Sequence, residues 1–319
     1  MVVALDISKA FDRVWHRALV SILIAYGVGD SFARWITSFC SGRSIRVVVD
    51  GSTSNEYSIN AGVPQGSVLS PSLFLVFIDD LLSSTINPIH SFADDSSICH
   101  SYCFIKRPSS VEIERKRRYM NDTLSCDLKT ISEWGLANRV EFNASKTQCC
   151  LLSHKRMDYP LPPLNMDGID ITRSATLDVL GISIQSDLRW TDHLFGVSKE
   201  AAKCLGYLKR CKKYFTPADL RTVYFAYIRP KLEYNSHIWA GAPKTALELL
   251  DRVQRRAMKL IGDTDVVSSI DSLEHRRNVG CVTLFYRYYN GMCFREIYKL
   301  VHVFYRVSSG SFLFRYNGV

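Results

Sequence analysis

The sequence predicts an α+β chain in two parts: an antiparallel sheet with packed helices, then an all-helical basic module. Three observations predict it. Short β-rich runs alternate with helical periodicities up to about residue 190. From about residue 196 the pattern is almost entirely helical. The charge is also unevenly shared. Residues 196–262 carry fourteen Lys and Arg against five Asp and Glu, a local excess equal to the +9 of the whole chain. The expected organisation is a mixed module over 1–190, a helical module over 191–265 and a weakly patterned, weakly structured tail over 266–319.

The strand-like run at residues 2–5 ends at Asp6. A helix follows over about 14–26, with Trp15, Leu19, Ile22 and Tyr26 at helical spacing and Gly27 as a left-handed stop. A second helix is predicted over about 31–40, capped by Asp30 or Ser31 and striped by Phe32, Trp35, Ile36 and Phe39. Two β-rich runs flank Asp50-Gly51, a hairpin signal. A Gly/Pro-rich loop then leads to a helix with Ser70 as cap and Pro71 as first helical residue, running to about 83. "IHSFADDSSICH" reads as strand, turn, strand, and residues 111–137 as a helix. "VEFNASKTQCCLLS" is a loop and strand, the Pro-rich 157–168 breaks the pattern, and "LDVLGISIQSDLRW" is another strand pair.

Apolar residues make up 47% of the 319, enough for a core and unlike a disordered chain. The ten cysteines include no C-x-x-C pair and scatter among apolar runs, which argues against a disulfide framework or zinc site and for reduced, intracellular cysteine. No signal peptide is evident, and the longest apolar run, around "LFLVFI", is far too short to span a bilayer. The basic excess favours an acidic partner, most often nucleic acid; a basic protein without such a partner is the plain alternative.

Two acidic pairs invite comparison. Asp79 and Asp80 lie on the edge of a helix whose stripe is Phe74, Phe77, Ile78 and Leu81, so they read as solvated. Asp94 and Asp95 sit at the tip of two short apolar runs, either as a polar β-turn or as groups presented for chemistry. Asp6, at a strand end, tips the balance. Like charges about 4 Å apart repel by roughly 4 kcal/mol at an effective dielectric near 20. Three gathered carboxylates therefore call for a cation, and hard oxygen donors without His or Cys suit Mg²⁺ or Mn²⁺. Two such ions are the standard apparatus of in-line phosphoryl transfer. In "AGVPQGS", Gly62 and Gly66 permit close backbone approach and Gln65 offers both donor and acceptor; an ordinary helix-initiating turn would look the same.

In order and spacing, "ALDISKAFDRVWH", "NAGVPQGSVLSPSLFLVFIDDL", "SFADDSSI" and "VEFNASKTQCCLLS" resemble reverse-transcriptase palm motifs A, B, C and D. "FADD", "PQGSVLSP", "YIRPKLEYNSHIWAG" and "LLDRVQRRAMKLIG" resemble non-LTR retrotransposons (LINE elements) of the jockey-like group, over about residues 1–262. The resemblance implies a polymerase palm followed by a helical thumb, and RNA-directed DNA polymerisation through two Mg²⁺ or Mn²⁺ ions. It implies Asp6, Asp94 and Asp95 as metal ligands, joined by the backbone carbonyl of Ile7. Phe11 would exclude a ribose 2′-hydroxyl and so favour dNTP, though a core Phe at a strand–helix junction fits the residue equally. Gln65 and Gly66 would contact nucleotide and template. Lys146 would protonate the leaving pyrophosphate, or else be a solvated loop lysine. Leu180 and Gly181 would belong to the primer grip. Lys209, Arg210, Lys212 and Lys213, in the thumb, would track the nucleic-acid backbone. The implied partners are an RNA template, a DNA primer and dNTP, with no membrane, in nucleus and cytoplasm; nothing in the sequence sets an oligomeric state.

Motif A begins five residues after Met1. The expectation is therefore an N-terminally truncated chain without fingers, endonuclease or C-terminal Cys/His knuckle, with little activity alone. Two functions stand side by side: a polymerase palm and thumb active within a longer parent, and a catalytically silent nucleic-acid-binding remnant.

Overall fold

The computed structural model describes residues 1–102, 108–153 and 161–292, and divides into two compact units, 1–188 and 189–319. In the first unit, β1 (Val2–Leu5) alternates half-buried and buried residues. A 3-10 turn at Ala10–Asp12 leads into α1 (His16–Ala25), which stops at Gly27 with φ +78°. α1 buries Leu19 and Leu23. It packs on α2 (Asp30–Cys40), which buries Ala33, Ile36 and Cys40 and leaves Phe32 and Trp35 exposed. The expected aromatic stripe of α2 is thus rotated, because small Ala33 and Cys40 fit a close helix–helix contact and large rings do not. Asp30 and Ser31 do not cap this helix: Gly29 is the N-cap, and Asp30 lies in the first turn.

β2 (Arg43–Ile45) pairs with β5 (Tyr57–Ile59), and between them β3 (Val48–Val49) pairs with β4 (Ser52–Thr53). Asp50 (φ +48°) and Gly51 (φ +80°) make the tight turn predicted for them. α3 (Ser70–Ser83) buries Leu73, Phe74, Phe77, Ile78 and Leu81, with Asp79 and Asp80 on the exposed edge. Ser70 is inside the helix and not its cap. Its buried hydroxyl donates to the Pro64 carbonyl at 2.6 Å, which ties the helix start to the preceding loop.

The main sheet has four antiparallel strands. Its order is β6 (Ile89–Phe92), β7 (Asp95–Cys99), β1 and β8 (Gln148–Cys150). Val3 pairs with both Ile98 and Cys149, and all three are completely buried. Against this sheet α3 and the long α4 (Ser110–Asn138) build one core, α4 contributing Met120, Leu124, Leu128 and Ile131 at helical spacing. Asp127, fully buried on the same helix, accepts hydrogen bonds from the Ile86 amide (2.6 Å) and from the Asn87 amide and side chain (3.1 and 2.6 Å). It thereby pins the loop that feeds β6.

Within the Pro-rich stretch the pattern gave no element. Residues 154–160 lie outside the described ones, but β9 (Leu164–Met166) and β10 (Ile169–Ile171) form a hairpin. Asp167 and Gly168 turn it, both at positive φ. β11 (Thr176–Val179) and β12 (Ile182–Gln185) pair as expected.

In the second unit α5 (Thr191–Cys211) starts five residues before the predicted helical pattern. α6 (Pro217–Val223) opens on a reciprocal Thr216/Asp219 capping box. A π-helical turn at Tyr224–Ile228 separates it from α7 (Arg229–Glu233), in which Pro230 has no N–H to continue the α pattern. α8 (Ser236–Trp239) buries Trp239 completely, and α9 (Lys244–Ile261) packs on α5 and ends at Gly262 in the left-handed conformation. α9 buries Ala246, Leu250, Val253, Ala257 and Ile261 and turns Arg252, Arg255, Arg256 and Lys259 outward.

The expectation of a weakly structured tail after 265 is corrected over its first part. α10 (Thr264–Ser268) and the 17-residue α11 (Leu273–Tyr289) follow, while residues 293–319 lie outside the described ones. α11 is held by polar partners. The Gln254 side chain accepts from the Leu273 amide (3.1 Å) and donates to the Asp271 carbonyl (2.9 Å). Arg277, 5% exposed, reaches Asp251, and Arg276 forks onto Glu233. Apolar periodicity cannot reveal such an anchor.

Candidate active site

The register of β1 and β7 places Leu5 opposite Ser96, so the next rung sets Asp6 against Asp95. Asp94 stands beside them in the two-residue turn Ala93-Asp94, with Ala93 at φ +55°. Ser91 steadies this tip: its hydroxyl donates to the Ala93 carbonyl at 2.9 Å and lies 2.8 Å from the buried Ser96 hydroxyl. Beyond β1 the ladder continues as an isolated bridge between Ile7 and Phe142. It uses the Ser8 amide to the Glu141 carbonyl (2.9 Å) and the Asn143 amide to the Asp6 carbonyl (2.8 Å), which leaves the Ile7 carbonyl out of the ladder.

Partial desolvation, then the charge of Asp94, then that of Asp6 hold the Asp95 carboxyl above its ordinary range. Asp95 therefore feels both of the other two aspartates. Among the described residues, no three His, Cys, Asp or Glu side chains close into a cage for an ion. The donors present, three carboxylates and a main-chain carbonyl, are the hard oxygens that fit a divalent ion such as Mg²⁺ or Mn²⁺.

A cleft of about 540 Å³ opens at this end of the sheet, lined by Ile7, Lys9, Phe11, Gln65, Gly66 and Asp94 among others. Two stretches remote in sequence meet there. The Gly62 amide donates to the Val14 carbonyl (2.9 Å) and the Val63 amide to the Phe11 carbonyl (2.8 Å). Gly62 has φ +81°, and a Cβ on it would lie 2.7 Å from the Asp12 backbone, so only glycine allows this approach. His16 Nε2 is 2.7 Å from the Gly62 carbonyl, to which Arg43 also donates. Gln65 Nε2 donates to Asp12 Oδ1 at 2.9 Å, and Gly66 has φ +83°. Phe11 stacks on Phe74 with ring centroids 4.9 Å apart. It is thus at once a half-buried core ring and a wall of the cleft.

The remaining predicted residues do not line this cleft. Lys146 is exposed, its amide bonded to the Asn143 carbonyl at 3.1 Å. Leu180 and Gly181 form the exposed turn of the β11–β12 hairpin, both at positive φ. Lys209, Arg210, Lys212 and Lys213 are exposed at the end of α5 and in the turn after it, in the second unit. There Arg210 lies over the Tyr207 ring and Lys213 over Tyr214, each 4.8 Å from the centroid. Sequence reasoning gave no role to Lys9, Asp12, His16 or Arg43. Asp12 carried a faint signal as a second acid six residues after Asp6; the others carried none.

Residues 1–208 match the family described as "Reverse transcriptase (RNA-dependent DNA polymerase)". Among curated proteins, the chain is 28% identical over 280 residues to the probable RNA-directed DNA polymerase from transposon BS of Drosophila melanogaster, covering 82% of this chain and 29% of that one. It is 25% identical over 263 residues to the RNA-directed DNA polymerase from mobile element jockey of Drosophila funebris, covering 81% and 28%. The probable RNA-directed DNA polymerase from the X-element of Drosophila melanogaster matches at 24% over 265 residues, with 81% and 28% covered. The chain spans under a third of the length of these relatives. A telomerase structure from Candida albicans matches at 10% identity and TM-score 0.32, over 85% of this chain and 51% of that one, too loosely to carry an argument. With more than half of its residues matched, this chain belongs to the reverse transcriptase (RNA-dependent DNA polymerase) family.

Proposed function

We propose that the first unit is the catalytic palm of an RNA-directed DNA polymerase of non-LTR retrotransposon type, acting on an RNA template, a DNA primer and dNTP. The observation that carries this is the meeting of Asp6, Asp94 and Asp95 beside a cleft walled by Phe11 and the Gln65-Gly66 loop. Asp6, Asp94, Asp95 and the Ile7 carbonyl are the proposed holders of two divalent ions, Mg²⁺ or Mn²⁺. Ions bound there would lower the pKa of the primer 3′-hydroxyl and offset the charge of the leaving pyrophosphate. Phe11, braced by Phe74, would stand where a ribose 2′-hydroxyl would clash and so select dNTP. Gln65, steadied by Asp12, and Gly66, which offers backbone without a side chain, would seat nucleotide and template. Lys146 would give a proton to pyrophosphate once template and primer order its exposed side chain. Leu180 and Gly181 would hold the primer terminus. Lys209, Arg210, Lys212 and Lys213 would bind backbone phosphates. By analogy with the family, the protein would work in nucleus and cytoplasm. No helix among the described residues is long and apolar enough to cross a membrane.

The test is primer extension on poly(rA)/oligo(dT) with Mg²⁺, for the wild-type chain and for Asp94→Asn. Extension that vanishes in the variant supports the reading. RNA binding without any extension would leave a silent nucleic-acid binder in its place.

A further inference from the structure

A second cleft, of about 970 Å³, is lined by Asp12, Arg13, Trp15, His16, Arg17 and Arg139, with Val, Ala, Ser, Thr and Asn side chains completing its walls. It shares one stretch of chain with the catalytic cleft: residues 9–11 line the first, and 12, 13 and 15–17 the second. The Gln65–Asp12 hydrogen bond joins the two walls.

Three features give this cleft a chemistry. The Arg139 guanidinium lies over the Trp15 ring, 4.7 Å from its centroid, which makes a planar, cationic layer. Arg139 reaches it from a left-handed backbone, φ +59°, at the end of α4, a conformation ordinarily given to Gly or Asn. Positive charge is also in excess, Asp12, bonded to Gln65, being the acid on the walls. Glu141 is taken up by Arg13 at 2.5 Å, and Arg17, exposed, and Arg139 have no acidic partner among the described residues. Stacking planes beside free guanidinium groups recognise unpaired bases and their phosphates. The volume suits a nucleotide, where a bare anion would leave it mostly empty.

We infer that this cleft binds single-stranded nucleic acid, taking one nucleotide of the unpaired template, its base on the Trp15–Arg139 layer and its phosphate on Arg17. The inference rests on the nucleic-acid reading proposed above.

The experiment is fluorescence anisotropy of a 5′-fluorescein oligo(rA) of about 15 nucleotides, titrated with the full chain at several salt concentrations. The Arg17→Ala, Arg139→Ala double variant should bind about tenfold more weakly or worse, and its salt slope should fall by roughly 0.7 for each phosphate no longer neutralised. Arg17→Glu alone, at an exposed and unpaired side chain, should weaken binding with an unchanged melting temperature, which separates loss of binding from loss of fold. Trp15→Phe should remove part of the tryptophan quenching that oligo(rA) causes. Equal affinity, salt slope and quenching in all variants, with wild type binding normally, would overturn the cleft assignment alone. Failure of wild type to bind any RNA would sink the nucleic-acid reading along with it. Full competition by millimolar inorganic phosphate would replace the strand with a simple anion site.

Discussion

At the scale of single residues, Asp95 carries the sharpest expectation. Its folded-state pKa is raised by partial desolvation and by Asp94 and Asp6, so the native state holds the proton more tightly than the unfolded chain. Its contribution to stability is present below the unfolded carboxylate range and is lost as pH rises through the folded value. At neutral pH without divalent ions, Asp95→Asn should therefore raise the melting temperature, and the gain should shrink as pH falls towards 4. Wild type should gain stability from Mg²⁺, and the variant should gain less. Calorimetry with and without Mg²⁺ checks all three; a variant that melts lower at every pH would refute the shared-charge account. Gly62 is the second such residue. Gly62→Ala meets both a positive φ and a 2.7 Å approach to the Asp12 backbone, so a loss on the order of 2–4 kcal/mol is expected by chemical denaturation. Phe11→Ala should loosen discrimination against rNTP in primer extension while costing stability, because the ring no longer stacks on Phe74.

At the scale of elements, α4 holds a neighbouring loop through a buried side chain, Asp127. Asp127 takes three hydrogen bonds from the loop before β6, and that strand leads into the Ala93-Asp94 turn. Asp127→Ala would leave the two Asn87 donors buried without partners, a loss of about 2–4 kcal/mol. Hydrogen exchange should accelerate in β6 and β7 first; protection unchanged there would mean that the loop does not position the hairpin. α11 shows the opposite balance. It depends on Gln254, Asp251 and Glu233 from earlier helices, which explains why its own sequence carried so little pattern.

At the scale of the whole molecule, the two units divide the chemistry: a carboxylate-bearing sheet in one, a concentration of outward cations in the other. If Lys212 and Lys213 each hold a phosphate, the double Ala variant should lower the salt slope of RNA binding by roughly 1.4. An unchanged slope would move the phosphate-binding surface elsewhere.

Much of this architecture was legible in the chain alone. The β-rich runs, the Asp50-Gly51 turn, the helix over 111–137 and the Gly27 stop are local, and local periodicity and turn chemistry report them directly. So are the order of the motifs and the separation of Asp79-Asp80 from Asp94-Asp95. The tertiary structure alone decided which face of α2 is buried, because that depends on what α1 presents to it. It alone joined Gly62 to Asp12 and Trp15 to Arg139, pairs far apart in the chain whose meeting leaves no trace in spacing. It also set Asp6 opposite Asp95, since strand register is a property of two segments and neither segment contains it.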